Sequence, residues 1–246
     1  MPPISNNPTP LGKLAPGAIG TLTLPPLAAE LIAGFRSLPD LTGVASDAMD
    51  ELGIVGVIPA SILRPTNPAA RIVGRALTVR NVAAAGSVPD AVATGVSGLG
   101  EIEAHNLAQP GDVLVLQGVD GVSNLGGMSA TIGHRQGEIG AIVDGGARDV
   151  DHSRAIDYPI WSRSVSPITG KWRVETVAVN KPVAICGIAV EPGDLVLADE
   201  VGVCLVPRAR AADVLARAQR NAAAEQARQE RIDAGAPVKD LMPKRR

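Results

Sequence analysis

At 246 residues, nearly half of them apolar and with a formal net charge of −2, the chain is long enough for one large domain, or two small ones, with a sizeable core. It has only four aromatics (Phe35, Tyr158, Trp161 and Trp172), and its only basic run is Lys244-Arg245-Arg246, so no base-stacking platform and no nucleic-acid partner are expected. Cys186 and Cys204 make neither a disulfide framework nor a zinc site, and both read as small buried hydrophobes.

Residues 1–26 are rich in proline and show little periodicity, which predicts an arm that is either flexible or laid on a neighbouring subunit. The arm has no apolar signal core, and no run reaches the roughly 20 apolar residues of a membrane helix, so a cytoplasmic protein without a membrane partner is expected. Leu27 to Ser37 has helical spacing. Thr42 to Gly53 reads as a short strand followed by a helix capped by Ser46 and stopped by Gly53. Ile72 to Arg80 reads as a strand.

A turn-strand device occurs twice: Pro110-Gly111-Asp112 before Val113-Leu114-Val115-Leu116, and Pro192-Gly193-Asp194 before Leu195-Val196-Leu197-Ala198. Between the copies the pattern predicts a helix over Ser129 to Gln136 and a buried strand over Ile139 to Val143. A loop follows at Asp144-Gly145-Gly146, then a helix begun by Arg148-Asp149 and a short strand at Pro159 to Arg163. Arg208 to Arg231 reads as one long helix, and 236–246 as a loose tail. The divisions are an arm (1–26), an α/β domain (27–207), and a C-terminal helix with its tail (208–246) expected to meet a neighbouring subunit.

Chemistry concentrates in two stretches. In Ala141 to Asp149 a buried strand leads through two glycines to an arginine and an aspartate, at the strand end where α/β folds place ligands. Arg148 offers a planar fork for a carboxylate, and Asp149 offers hard oxygens for Mg²⁺ or Mn²⁺ with water filling most of the shell. Together they can hold the two ends of a 2-oxo acid. They can equally be a salt bridge at a helix start. The second stretch, Asn124 to Thr131, is a glycine-rich turn opening a helix, whose free N–H groups favour an anion. It can also be a plain loop-to-helix junction.

The order Gly-Gly-Met-Ser-Ala-Thr (126–131), Val-Asp-Gly-Gly-Ala-Arg-Asp-Val-Asp (143–151), Pro-Ile-Trp-Ser-Arg (159–163) and Pro-Gly-Asp-Leu-Val-Leu-Ala-Asp-Glu-Val-Gly-Val-Cys-Leu-Val-Pro (192–207) resembles the RraA-like family. That family includes the class II 4-hydroxy-4-methyl-2-oxoglutarate (4-carboxy-4-hydroxy-2-oxoadipate) aldolases and the RNase E inhibitor RraA. The resemblance implies an α/β/α swivelling-domain sandwich with a β-barrel-like core, assembled as a homotrimer or homohexamer with active sites between subunits. It implies a lyase acting on a small 2-oxo acid, by retro-aldol cleavage or oxaloacetate-type decarboxylation, through an enolate carried on a divalent metal. Arg148 and the Met128 and Ser129 amides of the Gly126-Gly127 turn would hold the pyruvyl carboxylate, and Asp149 the metal. Lys171 would meet a distal carboxylate, and Glu225 would come from an adjacent subunit's helix. One departure stands out: the aldolases usually carry an acid where this chain has Gly127. His134 and His152 are the candidates to replace it. The inhibitor branch, which tends to lack the metal-binding aspartate, implies the alternative of a non-catalytic binding protein. A third reading keeps the metal pocket for a different carboxylate.

Overall fold

A computed structural model describes residues 9–241. Helices α1 (Ala29–Arg36) and α2 (Leu41–Glu51) lead into the short strands β1 (Val57–Pro59) and β2 (Arg64–Pro65) and the long β3 (Ile72–Ala83). Next come α3 (Val88–Thr94), α4 (Ile102–Leu107), β4 (Asp112–Gln117), β5 (Ser123–Leu125), α5 (Gly127–Gln136), β6 (Ala141–Ala147), α6 (Val150–Ala155) and β7 (Ile160–Val165). The chain continues through β8 (Val174–Val179), β9 (Val183–Ile185), β10 (Ile188–Val190), β11 (Leu195–Ala198) and β12 (Gly202–Val206) to α7 (Ala211–Asp233) and the single turn α8 (Val238–Leu241).

The mixed sheet runs β1-β12-β11-β3-β4-β6-β7-β2, with β5 added to β6 and β8 to β3, while β9 and β10 form a separate ribbon. Strands β3, β4, β6 and β7 are parallel, and the outer strands join antiparallel. Alternation along each strand divides the core. On β4, Val113 and Val115 join the cluster under the β9–β10 ribbon and Trp161, whereas Leu114 and Leu116 join the one under α4 and α5. On β11, Leu195 and Leu197 face α1, α2 and α7 while Val196 and Ala198 face the ribbon side. Both faces are therefore apolar, as a covered parallel sheet requires.

The two Pro-Gly-Asp turns form the same structure. Asp112 Oδ2 accepts from the Gln109 amide at 2.8 Å, and Asp194 Oδ2 from the Glu191 amide at 2.9 Å, with Gly111 and Gly193 both left-handed. Their strands lie on either side of β3, one parallel and one antiparallel. Asp112 additionally pairs with buried Arg75 at 2.8 Å. Burial raises the Asp112 pKa, and the Arg75 guanidinium opposes that rise.

Several expectations are corrected. Helix α2 begins at Leu41, not after Ser46: the Asp40 carboxylate caps it through the Gly43 amide at 3.1 Å, and Asp199 takes the Thr42 amide and hydroxyl. The cap thus comes from the aspartate nearest the turn plus a partner 157 residues away. Strand β6 does not stop at Val143 but runs through Asp144, Gly145 and Gly146, because glycines there admit the Val119 and Val122 carbonyls against the strand. Residues 9–26 of the arm lie on their own chain: Leu11 and Lys13 amides donate to buried Glu103, Ile19 bridges Val179, and Arg75 and Arg208 hold the carbonyls of Leu24, Pro25 and Pro26. Residues 1–8 lie outside the described residues, as do 242–246 of the expected tail, while 238–241 form α8. Helix α7 buries Ala211, Val214 and Ala218 against its own chain.

Cys204 is buried as expected, which pushes its thiol up to about 12. Cys186 is only half-buried; it sits in a left-handed turn where burial, with the Asp144 carboxylate beside it, pushes the thiol up to about 11. No helix among the described residues is long and apolar enough to cross a membrane.

Candidate functional site at the start of helix α5

The carboxyl end of β6 and the amino end of α5 meet because β5 pairs with β6 and then turns directly into the helix. Arg148 and Asp149 follow β6, with the Arg148 amide tied to the Leu125 carbonyl at 3.0 Å. Asp149 stands at the N-cap position of α6 without capping it, in a left-handed conformation (φ 54°) that an aspartate tolerates better than most residues, and its carboxylate reaches across to α5 instead. There Oδ2 accepts the Gly127 amide at 2.8 Å and lies 3.4 Å from Arg148 Nε. The two side chains are 42% and 45% exposed, so the pair faces solvent.

Two glycines make this approach possible. A Cβ on Gly126 would stand 3.0 Å from Arg148 Nε and 3.1 Å from Asp149 Oδ2. One on Gly127 would stand 3.1 Å from His152 Cδ2 and 3.2 Å from Asp149 Cβ. An acidic side chain at 127 would therefore need His152 to move. His152 Nε2 is 2.8 Å from the Thr131 hydroxyl, which donates to the Gly127 carbonyl. Of the two histidines expected near Gly127, His152 is brought there. His134 lines a separate hollow with Arg36, Arg71 and Asp157.

The Met128 and Ser129 amides have no acceptor among the described residues, as the first turn of a helix requires unless something caps it. With the Arg148 fork they make a cationic rim around an exposed carboxylate. Asp149 Oδ1 has no hydrogen-bond donor among the described residues, so one hard oxygen is open to a cation. No group of three or more His, Cys, Asp or Glu side chains that could hold a metal converges anywhere among the described residues, this site included, so a metal here would take a single carboxylate from this chain. A single carboxylate with a free oxygen would suit an ion such as Mg²⁺, which keeps several waters and binds through one or two carboxylates.

Other expected residues are placed elsewhere within the chain. Lys171 stacks its ammonium over the Trp172 ring, 4.3 Å from the centroid, in a hollow shared with Ser87, Asp90 and Glu175. Glu225 is an exposed residue of α7, whose buried residues pack with α1 and α2 rather than with α5. Asp144, the carboxylate in the strand, is occupied by Arg163 and by the Cys186 amide.

Sequence reading named Ser129 but missed the buried partners of its hydroxyl beneath the site: His105 on α4, and Glu138 and Tyr158 flanking β6. The sequence offered little signal: His105 lies in the mixed run Glu101 to Leu107, and Glu138 follows Arg135-Gln136-Gly137 just ahead of the apolar strand.

The RraA-like (Aldolase/RraA) family profile matches residues 42–205. The chain belongs to the RraA-like family. A putative 4-hydroxy-4-methyl-2-oxoglutarate aldolase of Halalkalibacterium halodurans is 30% identical over 209 residues, spanning 82% of this chain and 89% of the relative. Among solved structures, an uncharacterized protein from Pseudomonas syringae superposes with a TM-score of 0.73 at 28% identity, covering 89% of this chain and 99% of that one. RraAS2 of Streptomyces coelicolor, described as an unusual member of the RNase ES inhibitor RraA family, superposes with a TM-score of 0.67 at 27% identity, covering 82% and 97%. The mixed α/β architecture is thus that of the family.

Proposed function

We propose that the chain is a divalent-metal-dependent lyase that breaks a carbon–carbon bond of a small 2-oxo acid, by retro-aldol cleavage or by decarboxylation of an oxaloacetate-like acid. The observation that carries this reading is the solvent-facing Arg148–Asp149 pair set against the unpartnered amides of Met128 and Ser129. The similarity to a putative 4-hydroxy-4-methyl-2-oxoglutarate aldolase supports it.

In this reading Asp149 would hold Mg²⁺ or Mn²⁺, which would supply Lewis acidity toward the substrate's keto group. The Arg148 fork and the two amides fix the pyruvyl carboxylate, charge against charge, and so orient the bond to be broken. The same cationic rim favours the enolate that cleavage leaves, because preorganised donors stabilise developing negative charge without reorganising. Cleavage of the C3–C4 bond leaves the electron pair on C3, next to the keto carbon; the other fragment departs as a carbonyl compound once the 4-hydroxyl gives up its proton, or as CO₂, and C3 then takes a proton. The remaining ligands would come from a neighbouring subunit in a homotrimer or homohexamer, where Glu225 of an adjacent α7 has its expected role. Lys171 would reach a distal carboxylate only by leaving Trp172.

The test is pyruvate release from a panel of 4-hydroxy-2-oxo acids and oxaloacetate, with Mg²⁺ or Mn²⁺ and with EDTA. We expect metal-dependent release that falls at least about 100-fold in Asp149→Ala. Undiminished release in that variant, or in EDTA, would overturn the assignment. A second reading, a non-catalytic binding protein, draws on Gly127 and on the likeness to the inhibitor-family member RraAS2. A stable protein partner without Mg²⁺ affinity would favour it.

A further inference from the structure

Directly behind the amides of the site lies a line of polar groups that nothing in the binding of a carboxylate uses. Ser129 Oγ is 2.7 Å from His105 Nε2, and His105 Nδ1 is 2.7 Å from Glu138 Oε1. The Tyr158 hydroxyl donates to the other oxygen of Glu138 at 2.6 Å. The His105 and Glu138 side chains are 1% and 0% exposed. Gly133, one turn along α5, leaves the space they occupy: a Cβ there would overlap the Glu138 carboxylate and lie 3.1 Å from His105 Nδ1. The Glu101 carboxyl, at the head of α4, lies near the Ser129 hydroxyl as well.

A buried ionisable set is costly, and well-packed apolar residues commonly serve stability as well or better. Its continuity with Ser129, whose amide belongs to the site, gives it a chemical direction. We propose that Glu101, Ser129 and His105 form a proton relay under the carboxylate pocket, in which Glu138 holds the His105 ring and His105 orients and recharges the Ser129 hydroxyl that returns a proton to the cleaved substrate. This deepens the lyase reading and rests on it.

With Glu101 beside Ser129, the hydrogen bonds around His105 allow two states, related by a concerted shift of two protons that carries one positive charge to the imidazole. Tyr158 O–H and His105 Nδ1–H both donate to Glu138, so only Nε2 changes role. In the first state Glu101 is protonated and donates to Ser129 Oγ, while the Ser129 hydroxyl donates to neutral Nε2. In the second, the Glu101 proton has moved to Ser129 Oγ and the former serine proton to Nε2, leaving an ionised Glu101 and an imidazolium. No proton is gained or lost. When the pyruvyl carbon takes a proton from the Ser129 hydroxyl, directly or through one water, His105 or Glu101 replaces it, and solvent restores the relay.

The charges around His105 support both states. Burial works against the imidazolium, but the Glu138 carboxylate and Glu101 outweigh it and raise the His105 pKa. Burial likewise raises Glu101 above the ordinary glutamate value. Tyr158, raised well above the usual phenol by burial and by Glu138, stays protonated as a donor. Glu103 on α4 is committed instead to the arm amides of Leu11 and Lys13.

The experiment uses the full chain with Mg²⁺ and compares wild type with His105→Gln, Ser129→Ala and Glu101→Gln. We expect kcat for pyruvate release to fall about 100-fold in the first two, within the range for a lost proton-transfer group. Affinity for oxalate, a mimic of the pyruvate enolate, should stay within about twofold, because the amides and Arg148 remain. The limb of the kcat–pH profile that reports the relay should disappear. An unchanged profile with full kcat would overturn the proposal, as would labelling of Ser129 by a fluorophosphonate, which would make it a nucleophile. Where His105→Gln does not fold, Ser129→Ala carries the comparison. If the wild type releases no pyruvate from any substrate, the lyase reading fails by itself. The relay is then read by ¹⁵N NMR of the imidazoles: Glu101→Gln must shift the His105 titration, and an unmoved titration would refute the relay independently.

Discussion

Helix α5 touches two pairs of a nitrogen base with a carboxylate in opposite surroundings. Arg148 and Asp149, at 42% and 45% exposure, meet at its open end, whereas His105 and Glu138, at 1% and 0%, meet against its inner face. An exposed pair in water contributes about 0–1 kcal/mol to stability and stays available to ligands. A buried pair is worth little more as a pair, but leaving one member alone in low dielectric is expensive. The exposed pair is therefore the one suited to exchange its partner for a substrate, and the buried one is suited to hold a fixed geometry.

The sharpest break of that contrast is Glu138→Ala. It strands His105 and the Tyr158 hydroxyl, and urea denaturation should show a loss of about 3–5 kcal/mol. Next is Gly133→Ala, whose methyl must displace the Glu138 carboxylate. A loss of about 1–3 kcal/mol is expected, with the His105 titration disturbed in the folded protein.

A pH series sharpens the comparison further. His105 has its pKa raised above 6.5, so the folded chain binds that proton more tightly than the unfolded one. The stability this contributes is complete below about pH 6.5 and is lost as the pH rises through the folded value. Glu101 and Asp112, raised above 4.5 and 3.8, act in the same sense, since ionising them opposes the fold. Thermal midpoints should fall from about pH 6 to about pH 8, and His105→Gln should flatten the slope. A rising midpoint would contradict the assigned direction. The smallest effect on folding is expected from Arg148→Lys, within about 0.5 kcal/mol by urea denaturation. Oxalate binding by calorimetry should nevertheless weaken about tenfold, because an ammonium cannot reproduce the guanidinium fork.

The sequence alone determined the elements whose signals are local. Alternating branched residues in Val113–Leu116 and Leu195–Ala198 had to be strands covered on both faces, the Pro-Gly-Asp turns before them had to close alike, and Gly126-Gly127 followed by an amphipathic run had to open a helix. Arg148 and Asp149 were legible as a pair because they are adjacent in the chain and follow a buried strand. Only the tertiary structure decided what depended on distant partners: Asp40 with Asp199 rather than Ser46 at the start of α2, β6 continuing through its glycines, and His152 lying over Gly127. It alone joined His105 to Ser129 and Glu138, which stand 24 and 33 residues away. A histidine or glutamate in a mixed stretch carries no mark of its partner. The partner is fixed when α4, α5 and β6 pack and each buried polar atom must find a hydrogen bond within reach.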